Sequence, residues 1–197
     1  MLYRARLKKA RKIALVAALL VAMVLIALCA RVHATTLLRM SLAQMAQAAD
    51  TIARVKCIAT ASRWDGGAIW TFAEMDVVEP LKGAPPAHLV VRLPGGRVGH
   101  LVTRVEDAPQ LVAGEEKILF LERNPDGDYS VTGWVEGAFR IQKNTSGEET
   151  VTQDSSEVVV FDAVTRKFQV QGLRNLPMSD FRQRLATALT PARSDLR

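Results

Sequence analysis

Cysteine and histidine are scarce in this chain, which has 197 residues but only 2 cysteines and 3 histidines. Cys29 lies in an apolar N-terminal run, so the rest of the chain keeps only Cys57, and one cysteine cannot form an intrachain disulfide. The sequence has no HExxH or CxxC spacing for zinc and no GxSxG elbow for a serine nucleophile. It therefore predicts no cofactor, no metal site and no catalytic residue.

Acidic residues are missing from residues 1–34, which contain 7 of the 26 basic side chains. A basic start, an apolar run from Ile13 to Ala30 and the end Val32-His33-Ala34 predict a secretory signal peptide cut after Ala34. The run is longer than the ~7–15 residues usual in signal peptides and close to the lower limit for a membrane span. An uncleaved inner-membrane anchor through residues 13–30 is therefore the alternative. Both interpretations place the folded part outside the cytoplasm, periplasmic or secreted.

An excess of positive charge is also missing once the leader is set aside. The remainder has 19 basic and 20 acidic side chains, a net charge of −1. Nucleic-acid binding needs a basic surface, so the sequence predicts no nucleic-acid partner. About 160 residues are enough for one domain with a hydrophobic core.

Two long runs rich in Val, Ile, Thr and aromatic residues flank Gly66-Gly67, between Thr51 and Gly83. Such runs favour strands, and a Gly-Gly pair favours a hairpin turn. In the first run, small apolar residues occupy alternate positions, namely Ala53, Val55, Cys57, Ala59 and Ala61. A period of two places all five on one face of the strand. We expect Cys57 to be a small buried side chain of that face.

Turn residues separate the strands that the rest of the chain predicts, which are His88–Leu93, 98–105, Glu115–Arg123, 129–135, 138–143, 150–153 and 158–162. Evenly spaced strands without helices between them indicate an all-β, mainly antiparallel barrel over residues 51–175. Ser41 and Gln44 fit a capping box, which predicts a short helix from Ser41 to Ala49 within the segment 35–50. Residues 179–189 predict an amphipathic helix in the C-terminal segment 176–197.

Several short segments carry a resemblance to a known family: Ala49-Asp50, Trp64-Asp65-Gly66-Gly67, Leu81-Lys82-Gly83, Pro94-Gly95-Gly96, Ala113-Gly114-Glu115 and Leu119-Phe120-Leu121. With the closing helix, they resemble a group of uncharacterised secreted bacterial proteins. The layout is more distantly similar to netrin-like domains, which include the tissue inhibitors of metalloproteinases. The resemblance covers about residues 40–189 and implies an OB-type barrel, closed or partly open. Those inhibitors act through a disulfide-bonded N-terminal cysteine, whereas the predicted mature end here is Thr35-Thr36, so that activity is not implied.

Trp64 and Trp70 flank the predicted hairpin turn, and Trp134 falls on a later predicted strand. Exposed aromatic rings can serve as stacking platforms for a ligand, while hairpin pairing and core packing are the alternative. We take these three tryptophans as the candidate binding surface.

Other polar groups have simpler explanations in the sequence. His88, His100, Glu74 and Asp76 could assemble a hydrolase site, but two surface histidines and a solvated strand face explain them as well. Asn124, Asp126 and Asp128 imitate the start of a calcium loop without its later glycine and glutamate, so an ordinary turn explains them.

Taken together, the residues predict an exported, non-catalytic binding module of the bacterial cell envelope, whose partner would be an envelope protein or another ligand. A membrane-anchored structural envelope protein is one alternative. A hydrolase with a site assembled from distant residues is the other. Fold alone does not decide between them.

Overall fold

A computed structural model describes residues 40–157, 159–162, 167–170 and 172–190 of the chain. The predicted signal peptide or anchor, residues 1–34, lies outside this part, as do residues 35–39 and the tail after residue 190.

Strands dominate the described chain, as the composition of the runs predicts. The strands are β1 (Thr51–Asp65), β2 (Ala68–Lys82), β3 (His88–Pro94), β4 (Gly96–Val98), β5 (Leu101–Thr103), β6 (Glu116–Arg123), β7 (Tyr129–Val131), β8 (Ala138–Lys143), β9 (Glu149–Gln153), β10 (Val159–Asp162), β11 (Lys167–Val170) and β12 (Leu176–Pro177). The α-helices are α1 (Leu42–Ala48) and α2 (Met178–Leu189). Two 3₁₀-helices, Trp134–Gly137 and Asp154–Glu157, lie between strands.

The long hairpin β1–β2 turns at Gly66 and Gly67, whose φ angles are 56° and 81°. Two successive positive φ angles are typical of the type I′ turn, which matches the twist of a hairpin. The predicted single apolar face of β1 is wrong beyond Cys57. Cys57 pairs with Met75 but Ala59 pairs with Glu74, so one residue, Ile58, bulges out of the ladder.

The bulge at Ile58 exchanges the two faces of β1, because side chains alternate with a period of two. Ala53, Val55 and Cys57 are buried, whereas Ala59 and Ala61 are exposed. After the bulge, Ala59 and Ala61 therefore lie on the outer face of the hairpin.

Five strands are linked by hydrogen bonding in a ring, in the order β1-β2-β3-β7-β6 and back to β1. All of these pairings are antiparallel except that of β3 with β7, which is parallel and consists of the single pair Val91↔Tyr129. In the first half of β1, residues 52–56 pair with both β2 and β6, while the second half pairs with β2 alone. Strands β8, β9 and β12 extend the sheet from β6.

Two hydrophobic clusters fill this architecture. The first unites side chains of β1, β2, β3, β6 and β7 with Leu111 and Ala138, and Cys57 is part of it, as predicted. The second lies between the sheet and the two α-helices, where Phe139 packs against Phe120 and Phe181 at ring-centroid distances of 5.3 Å. Each α-helix therefore contributes an apolar face to the second core.

Helix α1 is capped at both ends. The Ser41 hydroxyl accepts the N–H of Gln44, and the Gln44 side chain accepts the N–H of Ser41, which completes a capping box. At the other end the Lys82 ammonium donates to three carbonyl groups, those of Ala46, Gln47 and Ala49. A cation at this end satisfies the last carbonyls and the helix dipole.

Helix α2 covers the residues predicted for it and buries Phe181 and Leu185. Two strand predictions need correction. Residues 98–105 form no single strand, because Gly99, with φ of 59°, turns the chain between β4 and β5. Residues 129–135 leave the sheet after Val131, because Gly133 has a φ of 68° and begins a 3₁₀ turn.

Candidate functional site

The three predicted tryptophans do not form one surface. Trp64 pairs with Ile69 across the hairpin and Trp70 pairs with Arg63, so the two rings point to opposite faces. Trp134 is on the 3₁₀-helix and not on a strand, which corrects its predicted position. Trp64 and Trp134 are 53% and 43% exposed, while Trp70 is half-buried.

Trp70 belongs to an arginine–aromatic stack on the outer face of β1, β2 and β3. The Arg63 guanidinium carbon lies 3.6 Å from the centroid of the Phe72 ring, and that of Arg92 lies 4.1 Å from the Trp70 ring. The register explains the stack, because Arg63 is opposite Trp70 and Arg92 is opposite Phe72. Stacking leaves the N–H edges of a guanidinium free for a ligand.

This stack borders an open groove of about 840 Å³ between β3 and the turn that joins β6 to β7. Its wall residues come from β1, β2, β3, the loop before β3, and the β6–β7 turn, and include Arg63, Phe72, Arg92, Arg123, Asp126 and Tyr129. Phe72 is buried and only 7% exposed, because the guanidinium groups cover its ring. Polar side chains therefore line the groove above the buried ring of Phe72.

The arginines of the groove differ in their partners. Arg92 forms an ion pair with Asp65 at 2.8 Å and is 3.9 Å from the carboxylate of Asp126. Within the described part of the chain, neither Arg63 nor the side chain of Arg123 has a carboxylate partner. Two guanidinium groups beside one groove are thus available to an anionic group, and arginine binds carboxylates and phosphates in a bidentate manner.

The turn Asn124–Asp128 forms the opposite wall. The Asn124 side-chain amide donates to Asp128 at 2.6 Å and to the Ser130 hydroxyl at 2.9 Å, and Gly127 has a φ of 91°. These contacts are those of a hairpin turn stabilised by its own side chains. Among the described residues, no three His, Cys, Asp or Glu side chains come together as a metal site would require.

Of the four residues of the predicted hydrolase site, His88 and Asp76 are in contact. His88 Nδ1 lies 2.6 Å from Asp76 Oδ1, because the two residues are directly opposite on β2 and β3. Glu74 lies two residues from Asp76 and shares its face. His100 is exposed in the turn between β4 and β5. The His88–Asp76 pair is itself solvent-exposed, and such pairs are common on strand surfaces.

Cys57 and Arg54 lie on β1, away from the groove walls. Burial raises the pKa of the Cys57 thiol above its ordinary value, with a smaller contribution from the nearby Glu115 carboxylate. The thiolate is the reactive form of cysteine, and burial disfavours it here. Cys57 is therefore an unreactive side chain of the core. Arg54 donates hydrogen bonds to Glu149 and Glu116, and the bond to Glu149 is the largest cause of the raised pKa of Arg54.

Sequence reasoning missed Arg63, Phe72, Arg92 and Arg123 as groove residues. They come from four separate strands, and only the cross-strand register brings them together. One signal was present, since alternate residues of β2, Trp70 and Phe72, place two aromatic rings on one face.

No family model matches the chain, and no curated protein is detectably similar to it. The netrin-like resemblance therefore stays a prediction. Within the described residues, we find no helix both long and apolar enough to cross a membrane.

Proposed function

We propose that this chain is an exported, non-catalytic module that binds an envelope protein or another ligand in the groove of Arg63, Phe72, Arg92 and Arg123. The observation that carries the proposal is the stack of two guanidinium groups on two aromatic rings beside an open groove. Preformed cation–aromatic surfaces with uncommitted hydrogen-bond donors are characteristic of recognition sites.

The strand order supports an OB-type barrel as the framework for this site. That fold is a five-stranded, partly open Greek-key barrel, and the ring β1-β2-β3-β7-β6 has five strands with a seam of one residue pair between β3 and β7. OB-type barrels bind their ligands on the face of the second and third strands and on two neighbouring loops. Here the groove borders β2, β3 and the β6–β7 turn.

Export is the second part of the proposal. It is supported by the basic and apolar segment of residues 1–34 and by the near-neutral charge of the remaining chain. Under the anchored alternative, residues 13–30 hold the same module at the inner membrane. The groove lies beyond the leader in either case, so the binding proposal does not depend on cleavage.

Blocking the groove tests this function. Ala84 lines the groove and is exposed, so Ala84→Trp fills its mouth without altering the core. Ala113→Trp is the matched control, because Ala113 is exposed on the loop before β6 and is outside the groove walls. Each full-length variant is expressed in the native host, cross-linked in whole cells, and its adducts are identified by mass spectrometry.

A partner that cross-links to the wild type and to Ala113→Trp but not to Ala84→Trp supports a binding module with its site in the groove. A partner that cross-links to all three proteins excludes the groove as the site. The absence of any specific adduct with all three proteins argues against an envelope-protein partner.

A further inference from the structure

The groove also indicates the chemistry of its occupant, and this inference rests on the proposed binding function. Arg63 and Arg123 leave two guanidinium groups without a carboxylate in the described chain. An anionic group of a ligand can pair with them. Asp65, Asp126 and Asp128 line the same groove, so a ligand that is negatively charged on all sides, such as a nucleic acid, meets more repulsion there than one that carries its anionic groups on one side.

The main chain of β3 adds a second constraint. The N–H of Val77 donates to the carbonyl of Ala87 at 2.8 Å. Since backbone groups of a strand point alternately to its two sides, the N–H and C=O groups of odd-numbered residues of β3 point toward β2. Those of even-numbered residues point to the opposite side, where β7 lies. The pairing with β7 is limited to Val91↔Tyr129, so the edge at His88 lies beyond the part that β7 covers.

Two prolines set the length of this edge. Pro86 and Pro94 are even-numbered and carry no N–H, so they remove the donors that would otherwise extend the edge toward the groove. Such prolines protect sheet edges from pairing with a full additional strand. The N–H groups of His88 and Val90 lie between them. A short extended segment matches this edge better than a long strand does.

We propose that the groove binds an extended peptide segment of a partner protein that carries acidic side chains. The segment adds to the β3 edge at His88 and Val90 through main-chain hydrogen bonds. Its carboxylates pair with the guanidinium groups of Arg63 and Arg123. Side chains of an extended peptide alternate with a period of two, so carboxylates at every second position lie on one side of the segment and can face the arginines.

The test uses full-length protein purified in a mild detergent and a fluorescein-labelled peptide of alternating aspartate and valine with blocked termini. Binding is measured by fluorescence anisotropy. The comparison probes are a lysine–valine peptide, an oligothymidylate, and an aspartate–valine peptide N-methylated at alternate residues. The protein variants are Arg63→Gln, Arg123→Gln and, as the matched control, Arg97→Gln, because Arg97 is exposed on β4 and outside the groove walls.

We expect the aspartate–valine peptide to bind and the lysine–valine peptide not to bind. Each groove substitution should weaken binding by about tenfold, because it removes a charge-assisted hydrogen-bonded pair, and Arg97→Gln should leave it unchanged. N-methylation should weaken binding as well, since it removes main-chain donors. Circular dichroism of each variant confirms that it folds.

Equal binding of the acidic and basic peptides would overturn the inference, as would tighter binding of oligothymidylate than of the acidic peptide. Unchanged affinity in Arg63→Gln and Arg123→Gln would overturn it too. If the N-methylated peptide binds as well as the unmodified one, the edge-pairing mode is wrong. If Ala84→Trp loses its cross-linked partner while the acidic peptide fails to bind, the binding module stands and this inference alone fails.

Discussion

Replacing Arg54 by methionine should destabilise the domain, because it removes the centre of an ion-pair network. The Arg54 guanidinium donates to Glu116 on β6 at 2.8 Å and to both carboxylate oxygens of Glu149 on β9 at 2.9 Å. It is 19% exposed, so methionine can retain the packing of its aliphatic part while leaving the two carboxylates without their cation.

The magnitude follows from the burial of the partners. Removing one member of a fully buried ion pair costs about 3–5 kcal/mol, whereas an exposed pair contributes roughly 0–1 kcal/mol. The side chains of Glu116 and Glu149 are 34% and 31% exposed, which places this pair between the two limits. We expect a loss of about 2 kcal/mol in the free energy of unfolding, and a decrease of roughly 4–8 °C in Tm for a domain of this size.

The loss should depend on pH in a defined direction. The hydrogen bonds from Arg54 lower the pKa of Glu149 below its ordinary value of 4.5. A carboxylate whose pKa is lower in the folded state contributes stability above its unfolded pKa, and this contribution disappears as the pH falls through the folded pKa. The difference between wild type and Arg54→Met should therefore be complete at neutral pH and shrink below pH 4.5.

Thermal unfolding of the full chain, followed by circular dichroism at neutral pH and at about pH 3.5, measures this difference. Arg97→Met is the control for loss of an exposed arginine. In a double-mutant cycle with Glu149→Gln, the effects of the two substitutions should be non-additive, because the side chains are in contact. A Tm equal to that of the wild type, or a deficit that is the same at both pH values, would refute the reasoning.

Three further predictions concern single contacts. Lys82→Met should speed amide hydrogen exchange in α1, because it removes a cap from three carbonyl groups; exchange as slow as in the wild type would contradict this role. Gly96→Ala should lower the free energy of unfolding by about 2 kcal/mol or more, since a Cβ at its φ of 137° overlaps two hydroxyl groups of β1 and β2; an unchanged denaturant midpoint would show that the hairpin adapts. In a Cys29→Ser background, Cys57 should react with a thiol reagent only on unfolding, because burial raises its pKa; rapid labelling of the native protein would show that the thiol is accessible.

Local chemistry made much of the fold predictable. The pair Gly66-Gly67 permits the positive φ angles of a tight turn, and β-branched residues on both sides favour strands. Helix α2 was predictable because an apolar stripe with a helical period follows Ser179 and Asp180 and ends before Pro191. These signals act within a few residues and need no tertiary information.

The bulge at Ile58 was not predictable in the same way. Isoleucine is common in regular strands, so its identity does not mark a bulge. Only the pairing with β2 shows that Ile58 is an extra residue in β1. The alternation of small residues continued past it in the sequence and indicated the wrong face for Ala59 and Ala61. Trp134 was misplaced for a related reason, because Gly133 can continue a strand or begin a turn, and the main-chain contact of Val135 with Asp107 stabilises the turn.

The candidate site was even less accessible from the sequence. Arg63 and Phe72 are adjacent only because the hairpin register makes them diagonal neighbours, and Arg92 joins them from β3. In the sequence, each of these arginines occupies a position typical of a solvent-exposed strand residue. Trp70 was the one member identified, as an aromatic residue near the turn, although its partner in the stack is an arginine and not another tryptophan.

The bulge at Ile58 divides β1 into two halves that differ in the number of neighbouring strands. Residues before it are constrained by neighbours on both sides, whereas residues after it pair with β2 alone. A substitution in the second half of β1 therefore disturbs one set of strand pairings, whereas one in the first half disturbs two. Deleting Ile58 would remove the bulge and leave Ala59 opposite Glu74 and Arg63 opposite Trp70, so the outer row of the hairpin would continue from an uninterrupted ladder.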